Sequence, residues 1–225
     1  ENHWFNIASI DVYDMTAKSI AIIGNSITDG KNATDNANNR WPDVLSETLQ
    51  KKHGVTDRGI LNLGIGNNRV TMTGGFGFMA RQRFDRDILS QRGVHTVIVF
   101  EGVNDIGAAG NGGSEAVAND LIRAYEEMIR KAKERNLRVF LGTITPFKGA
   151  GYYSIFHEAA RQTDNQRIRA QPEKVDGILD FDELLRDPSD PARLQKQWQS
   201  DWLHPNPEGY RAMGTYAAEV IAHSL

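Results

Sequence analysis

Two short segments, far apart in the chain, carry side chains that could perform nucleophilic catalysis together. Residues 24–30 (GNSITDG) place Ser26 directly after an apolar run, and residues 201–205 (DWLHP) hold an aspartate and a histidine three positions apart. A serine hydroxyl is a weak nucleophile near neutral pH and needs a base, usually a histidine whose tautomer is fixed by a carboxylate. Asp201 and His204 supply both groups, since side chains at i and i+3 share one face of a helix-like turn. The two segments predict a Ser–His–Asp triad.

Each segment alone also has a structural interpretation. A serine after a strand and a glycine turn commonly caps the next helix, and Asp-x-x-His occurs often at helix starts and in surface pairs. Two further apolar runs favour the catalytic interpretation: 96–100 leads into EGVND at 101–105, and 60–69 (ILNLGIGNNR) ends in a glycine-rich loop. The carboxyl ends of parallel strands form the ligand crevice of an α/β sheet. We therefore expect Ser26, Asn104 and this loop at one edge of a sheet.

Acyl transfer also needs hydrogen-bond donors for the negative oxygen that develops in its transition state. The chain offers the backbone N–H of Ser26, a backbone N–H of the loop at Gly66 and Asn67, and the side-chain amide of Asn104. Together they predict an oxyanion hole.

Ordered sequence blocks give the chain a family resemblance. GNSIT at 24–28, NLGIG at 62–66, GVND at 102–105 and DWLH at 201–204 resemble, in this order, the blocks of the SGNH hydrolases, also called GDSL esterases and lipases. The resemblance covers about residues 18–225. It implies a fold of the α/β class, a flavodoxin-like three-layer α/β/α sandwich around a central parallel sheet of about five strands.

The resemblance also implies a role for each matched side chain. Ser26 is expected to be the nucleophile, His204 its base, Asp201 the carboxylate that orients the base, and Asn104 an oxyanion donor. No cofactor and no metal is implied.

Two positions depart from the family's pattern. Asn25 stands where the family usually has an aspartate beside the nucleophile, which keeps hydrogen bonding but removes a charge, so we expect tuning and not loss. The family's oxyanion glycine lies five residues after the asparagine of its block, and counting from Asn62 places Asn67 there, with Gly66 just before. A main-chain donor can come from either residue, since Asn tolerates left-handed backbone angles better than other non-glycine residues.

Short apolar runs and amphipathic stretches predict the elements that position these groups. Strands are expected near 18–23, 60–64, 94–100, 137–144 and 176–181, and helices near 42–52, 78–91, 114–135, 154–171 and 206–223. Strands that alternate with helices predict a parallel sheet covered on both faces. The alternating charges of residues 81–87 (RQRFDRD) predict a solvated helix face.

Residues 1–17 precede this domain and alternate apolar with polar positions. Their apolar members are Trp4, Phe5, Ile7, Ile10, Val12 and Tyr13. We expect an arm or edge strand that packs on the domain at 18–225, or the remnant of an upstream module. A start at Glu1 suggests that a leader or upstream domain is missing, and a secreted or periplasmic location is favoured over the cytoplasm.

Composition excludes several classes of function. The formal net charge of −3, with both signs scattered, predicts no nucleic-acid partner. No apolar run reaches the length of a membrane span. The absence of cysteine excludes disulfides and thiol catalysis, and the histidines have no zinc-site spacing.

Several side chains are candidates for substrate contact. Arg69 follows the glycine-rich loop, where it could hold a substrate oxygen or brace Asp105, and Phe147 follows the fourth predicted strand at the same edge. Tyr152 belongs to an aromatic set whose members line a pocket or pack in the core, the others being Phe76, Phe78, Tyr153 and Phe156.

We therefore expect a serine esterase for short-chain O-acyl esters, with acetylated carbohydrate as the favoured substrate. A lysophospholipase, an arylesterase and an acyltransferase use the same machinery and stay open as alternatives. A noncatalytic carbohydrate-binding module is the alternative from another class, although such a module would not need all four of Ser26, Asn104, Asp201 and His204. The oligomeric state is not predicted.

Overall fold

Apolar runs of the sequence form a parallel sheet in the computed structural model, which describes residues 10–171 and 174–224. The strands are β1 (Lys18–Gly24), β2 (Arg58–Gly64), β3 (Val94–Phe100), β4 (Arg138–Gly142) and β5 (Gly177–Leu179). They lie side by side in the order β2-β1-β3-β4-β5, and every neighbouring pair is parallel. The predicted parallel sheet of five strands is confirmed.

Helices connect these strands. They are α1 (Ser26–Asp29), α2 (Trp41–Lys51), α3 (Ala80–Phe84), α4 (Val103–Ala108), α5 (Ser114–Glu134), α6 (Ile155–Arg169), α7 (Phe181–Leu185) and α8 (Pro207–Ala222). A π-helical turn (Asp85–Leu89) continues α3, and a short antiparallel pair, β6 (Arg186–Asp187) with β7 (Asp190–Leu194), follows α7. Within the described ranges, no helix is long and apolar enough to cross a bilayer.

The two faces of the sheet are covered by separate cores, because side chains alternate along a strand. Ala21 and Ile23 of β1 face a core that includes side chains of α3, α5 and α6. Ile20 and Ile22 face the other core, to which α2 and α8 contribute. The three-layer α/β/α sandwich is thereby confirmed.

The strand order locates the crevice. The chain runs from β1 outward to β2 and then crosses back over β1 to β3, so the direction of winding reverses between β1 and β3. Ligands bind at such a switch point, outside the carboxyl ends of the strands. Ser26 follows β1 and Asn104 follows β3, so both leave the sheet at this point.

The last residues of the predicted N-terminal arm are exposed where the structure describes them. Ile10, Val12 and Tyr13 are 73–98% exposed and do not pack on the sheet. Trp4, Phe5 and Ile7 lie outside the described residues.

Candidate active site

Ser26 is presented by a single helical turn at the end of β1. Asn25 caps this turn, since its Oδ1 accepts a hydrogen bond from the Ile27 N–H at 3.0 Å. The other end of the same amide donates to Glu101 Oε2, at 3.2 Å. Gly24 is required before them, because a Cβ there would lie 2.2 Å from Thr28 Oγ1. Asn25 therefore links the serine turn to Glu101, the residue that follows β3.

Three side chains form a continuous hydrogen-bonded chain at this edge. Ser26 Oγ lies 2.8 Å from His204 Nε2, and His204 Nδ1 lies 2.8 Å from Asp201 Oδ2. A carboxylate only accepts, so Nδ1 carries the proton of a neutral ring and Nε2 can accept from the serine hydroxyl. The segments that the sequence separates by more than 170 positions are brought together.

The loop before His204 is shaped around its aspartate. Asp201 Oδ1 accepts the main-chain N–H groups of Leu203 and His204, at 3.1 and 2.8 Å. Trp202, which follows Asp201, has a left-handed φ of 64° and turns the chain back toward the Asp201 carboxylate. Partial burial alone would raise the pKa of Asp201, but the hydrogen bonds from His204 hold it below its usual value. The carboxylate is therefore ionised at neutral pH.

The glycine-rich loop after β2 offers one free main-chain donor beside the serine turn. The Gly66 N–H faces the Asp29 carboxylate of α1, where it opposes the rise in pKa that burial causes. Asn67 adopts a left-handed φ of 53°, and among the described residues nothing accepts its N–H. Of the two donors that the sequence leaves open, Asn67 is the available one.

Asn104 is buried at the start of α4. Its Nδ2 donates to the Asn68 carbonyl at 2.9 Å, and its Oδ1 accepts from the Tyr152 hydroxyl at 3.1 Å. An amide NH₂ carries two hydrogens, so one remains for a ligand. The amide is joined through Asn68 to the loop that holds Asn67.

Arg83 was missed by the sequence interpretation, which placed residues 81–87 on a solvated face. The Arg83 side chain is buried, and its guanidinium donates to the carbonyls of Leu63 and Gly24 at 2.8 and 3.2 Å and to Asn68 Oδ1 at 3.1 Å. It ties together the ends of β1 and β2 and the glycine-rich loop. A signal was available, because Arg83 lies next to the buried helical positions Ala80 and Phe84.

A buried carboxyl stands behind the serine turn. Glu101 lies at the end of β3, with Oε1 3.7 Å from the Arg83 guanidinium. Burial raises the pKa of Glu101 to about 8, with Asp105 adding to the rise and Arg83 opposing it. The burial of Glu101 could not be predicted from its sequence position, because its partners Asn25 and Arg83 come from other parts of the chain.

Two residues predicted to contact substrate, Phe147 and Asp105, have buried side chains in the structure. Phe147 lies in the core, with its ring 6.4 Å from that of Tyr153. Asp105 accepts the main-chain N–H groups of Val70 and Thr71 at 2.8 and 2.9 Å, so it fixes the chain after the glycine-rich loop.

Arg69 does not brace Asp105 on the described contacts, and its contact with a substrate oxygen stays a prediction. Its Nη1 donates to the Thr73 carbonyl at 2.7 Å, which holds the following loop, and Asp105 is braced by main chain instead. Tyr152 reaches Asn104. Phe76, Phe78 and Phe156 are exposed and not packed in a core. In the part of the chain that the structure describes, no cluster of side chains could hold a metal ion.

The sequence model of the GDSL-like lipase/acylhydrolase family matches residues 22–212. The chain belongs to this family. The GDSL-family protein is accordingly a carboxylic ester hydrolase. No curated protein matches it.

Solved structures similar to this GDSL-family hydrolase include other ester hydrolases. The lipase/acylhydrolase of Enterococcus faecalis is 18% identical, with a TM-score of 0.66 over 92% of this chain and 97% of its own. The acetyl xylan esterase AlAXEase is 21% identical, with a TM-score of 0.67 over 92% and 99%. Est24, a carbohydrate acetylesterase from Sinorhizobium meliloti, is 14% identical, with a TM-score of 0.68 over 92% and 100%. At these identities the likeness establishes the fold.

Proposed function

We propose that this protein is a serine esterase that uses Ser26 as nucleophile, His204 as general base and Asp201 as the carboxylate that orients the base. The observation that carries the proposal is the hydrogen-bonded chain from Ser26 Oγ through the imidazole to the Asp201 carboxylate. His204 takes the serine proton as Oγ attacks the ester carbonyl, and then gives it to the leaving alcohol. Water repeats the cycle on the acyl-enzyme and releases the acid.

The oxyanion of each tetrahedral intermediate would be held by three donors. These are the N–H of Ser26, the N–H of Asn67 and the remaining hydrogen of Asn104 Nδ2. The support for Asn67 over Gly66 is that the Gly66 N–H already faces Asp29. Losing one such donor typically lowers kcat about 10²- to 10³-fold.

The substrate class we propose is a short-chain acyl ester, with an acetyl group on carbohydrate as the natural form. Support comes from the structural neighbours, which include an acetyl xylan esterase and a carbohydrate acetylesterase.

Hydrolysis of p-nitrophenyl acetate, butyrate and octanoate by the parent and by Ser26→Ala tests the proposal. We expect the substitution to abolish activity and the parent to favour acetate, and we expect the parent to release acetate from chemically acetylated xylan. Ser90→Ala, which removes an exposed hydroxyl before β3, is the matched control and should behave as the parent. Equal rates in the parent and Ser26→Ala would contradict the nucleophile, whereas a preference for octanoate would contradict only the substrate class.

A further inference from the structure

The Asn104 amide has a single orientation that satisfies its neighbours. The Asn68 carbonyl can only accept a hydrogen bond, so the atom 2.9 Å from it must be Nδ2. Oδ1 then faces the Tyr152 hydroxyl at 3.1 Å, and that hydroxyl must donate. Turning the amide over would set two oxygens against each other and leave the Asn68 carbonyl without this donor.

Tyr152 packs against α4, the helix that carries Asn104. Its ring lies against Gly107 of α4, where a Cβ would come within 2.2 Å of the ring carbon Cδ2. The main-chain carbonyl of Tyr152 lies 2.6 Å from His157 Nδ1, and His157 Nε2 lies 2.9 Å from the Ala109 carbonyl. Asn104 and Gly107 stand three positions apart and share one face of α4. The tyrosine therefore spans that face, with its hydroxyl at the amide and its ring on the glycine.

We propose that Tyr152 is a positioning residue for the oxyanion hole: its hydroxyl holds the Asn104 amide so that the free Nδ2 hydrogen points at the oxyanion. The role rests on the proposed function, since it requires acyl transfer at Ser26. It replaces the direct substrate contact that the sequence suggested for Tyr152. Without the hydroxyl, the amide keeps only its bond to Asn68 and can rotate about its side-chain torsions, so the third donor is present but poorly aimed.

The test is a double-mutant cycle of Tyr152→Phe and Asn104→Ala, measured as kcat and KM on p-nitrophenyl acetate. Tyr152→Phe keeps the ring on Gly107 and removes only the donor. We expect kcat to fall about 10- to 100-fold with KM within about twofold, because a misaimed donor costs less than the 10²- to 10³-fold of a missing one. In the Asn104→Ala background the same substitution should change kcat less than about twofold, since the group it positions is gone.

Tyr153→Phe is the matched control, because it removes the neighbouring hydroxyl from a ring that packs on Phe147. We expect its kcat to stay within about twofold of the parent. Thermal unfolding of all variants separates loss of fold from loss of rate. If Tyr152→Phe unfolds, Tyr152→Leu, which also removes the hydroxyl, takes its place in the cycle.

Each outcome decides the proposal. Equal losses from Tyr152→Phe with and without Asn104, an unchanged kcat, or an effect confined to KM would overturn the positioning role. If the positioning role is overturned in this way but Ser26→Ala abolishes activity in the same assay, the proposed function stands. Retained activity in Ser26→Ala would overturn the proposed function and the positioning role together.

Discussion

Asp164 is a carboxyl group without a partner. It lies on α6 with no exposed surface, and within the described residues neither of its oxygens has a hydrogen-bond partner. Burial, with a smaller contribution from Asp105, raises the pKa of Asp164 to about 8. In the unfolded chain the same group has its ordinary pKa near 4. The folded state therefore keeps a proton at neutral pH that the unfolded state releases, and folding is penalised by that difference.

The buried carboxyl of Asp164 should make the folded protein less stable as pH rises. The contribution of Asp164 to stability is fully present below about pH 4 and is lost as pH rises toward 8. Asp164→Asn, which is neutral at every pH, should escape that loss. We expect the melting temperature of Asp164→Asn to rise relative to that of the parent between pH 5 and pH 8. The difference in their free energies of unfolding should grow by up to about 1.4 kcal/mol per pH unit.

The measurement is thermal unfolding of both proteins across this pH range. Other groups, Glu101 included, titrate in both proteins and cancel in the difference. Asp120→Asn on α5, an exposed carboxylate paired with Arg123, is the control and should show a difference that does not grow with pH. A gap between Asp164→Asn and the parent that is the same at pH 5 and pH 8 would show that Asp164 is ionised in the folded protein.

Part of the candidate site could be predicted at this scale. Ser26, Asp201 and His204 are adjacent to sequence signals that stand on their own: a strand end, a glycine turn and an i, i+3 spacing. The bonds from Arg83 to strand ends and from Tyr152 to Asn104 could not be predicted, because their partners come from other parts of the chain. A sequence pattern gives the type of each side chain but not the direction in which the side chain points in the fold.

At the scale of elements, α3 is the part of the fold that departs most from its pattern. A single helix was predicted at 78–91, whereas the structure has five residues of α-helix followed by a π-helical turn closed by the Ser90 N–H on the Asp85 carbonyl at 3.0 Å. A period of 3.6 residues contains no signal for such a turn. Asp87, within this turn, lies 3.0 Å from the buried Arg83 guanidinium.

Substitution of Arg83 tests how far α3 holds the strand ends together. Arg83→Lys keeps the charge but cannot reach two carbonyls and an amide at once, since it lacks the planar fork of arginine. We expect a loss of about 2–3 kcal/mol for lysine, and about 3–5 kcal/mol for Arg83→Met, which removes the cation beside Glu101 and leaves Asp87 paired with Arg86. Urea unfolding followed by circular dichroism measures both.

The esterase rate should also fall in both Arg83 variants, because Arg83 binds Asn68 and the Asn68 carbonyl accepts a hydrogen bond from Asn104. Arg81→Lys is the control, since Arg81 is exposed on the same helix, and its effect should stay within about 0.5 kcal/mol. An Arg83→Lys protein as stable as the parent would mean that the positive charge of Arg83, and not its planar guanidinium group, stabilises the fold.

For the molecule as a whole, the sheet was the predictable feature. Buried parallel strands read as continuous apolar runs, so all five could be located, and the helices between them follow from their amphipathic periods. The strands β6 and β7 could not be located from the sequence, because they are short and polar and β7 contains Pro191. The helix α4 was missed as well, since Gly107 and Asn104 favour a loop when judged by propensity alone.

Residues 10–16, which are exposed before β1, should contribute little to global stability. Tyr13 and Met15 are 98% and 88% exposed. We expect the double substitution Tyr13→Ser and Met15→Ser to change the free energy of unfolding by no more than about 0.5 kcal/mol. Trp41→Ala, which empties a fully buried site on α2, should cost about 3–5 kcal/mol in the same urea titration. A loss above about 1 kcal/mol for the serine double variant would show that this segment packs on the body of the protein.

Ser26, Asn67 and Asn104 follow β1, β2 and β3 at the carboxyl edge of the sheet, where His204 meets Ser26. The loops at the opposite edge hold none of these groups. The sequence has no cysteine, so a cysteine introduced there would be its only thiol and could be coupled selectively. Arg92 is exposed in the turn that leads into β3 at that opposite edge. A bead, an electrode or a fluorescent dye coupled through Arg92→Cys would hold every copy in one orientation, with the crevice turned toward the solution.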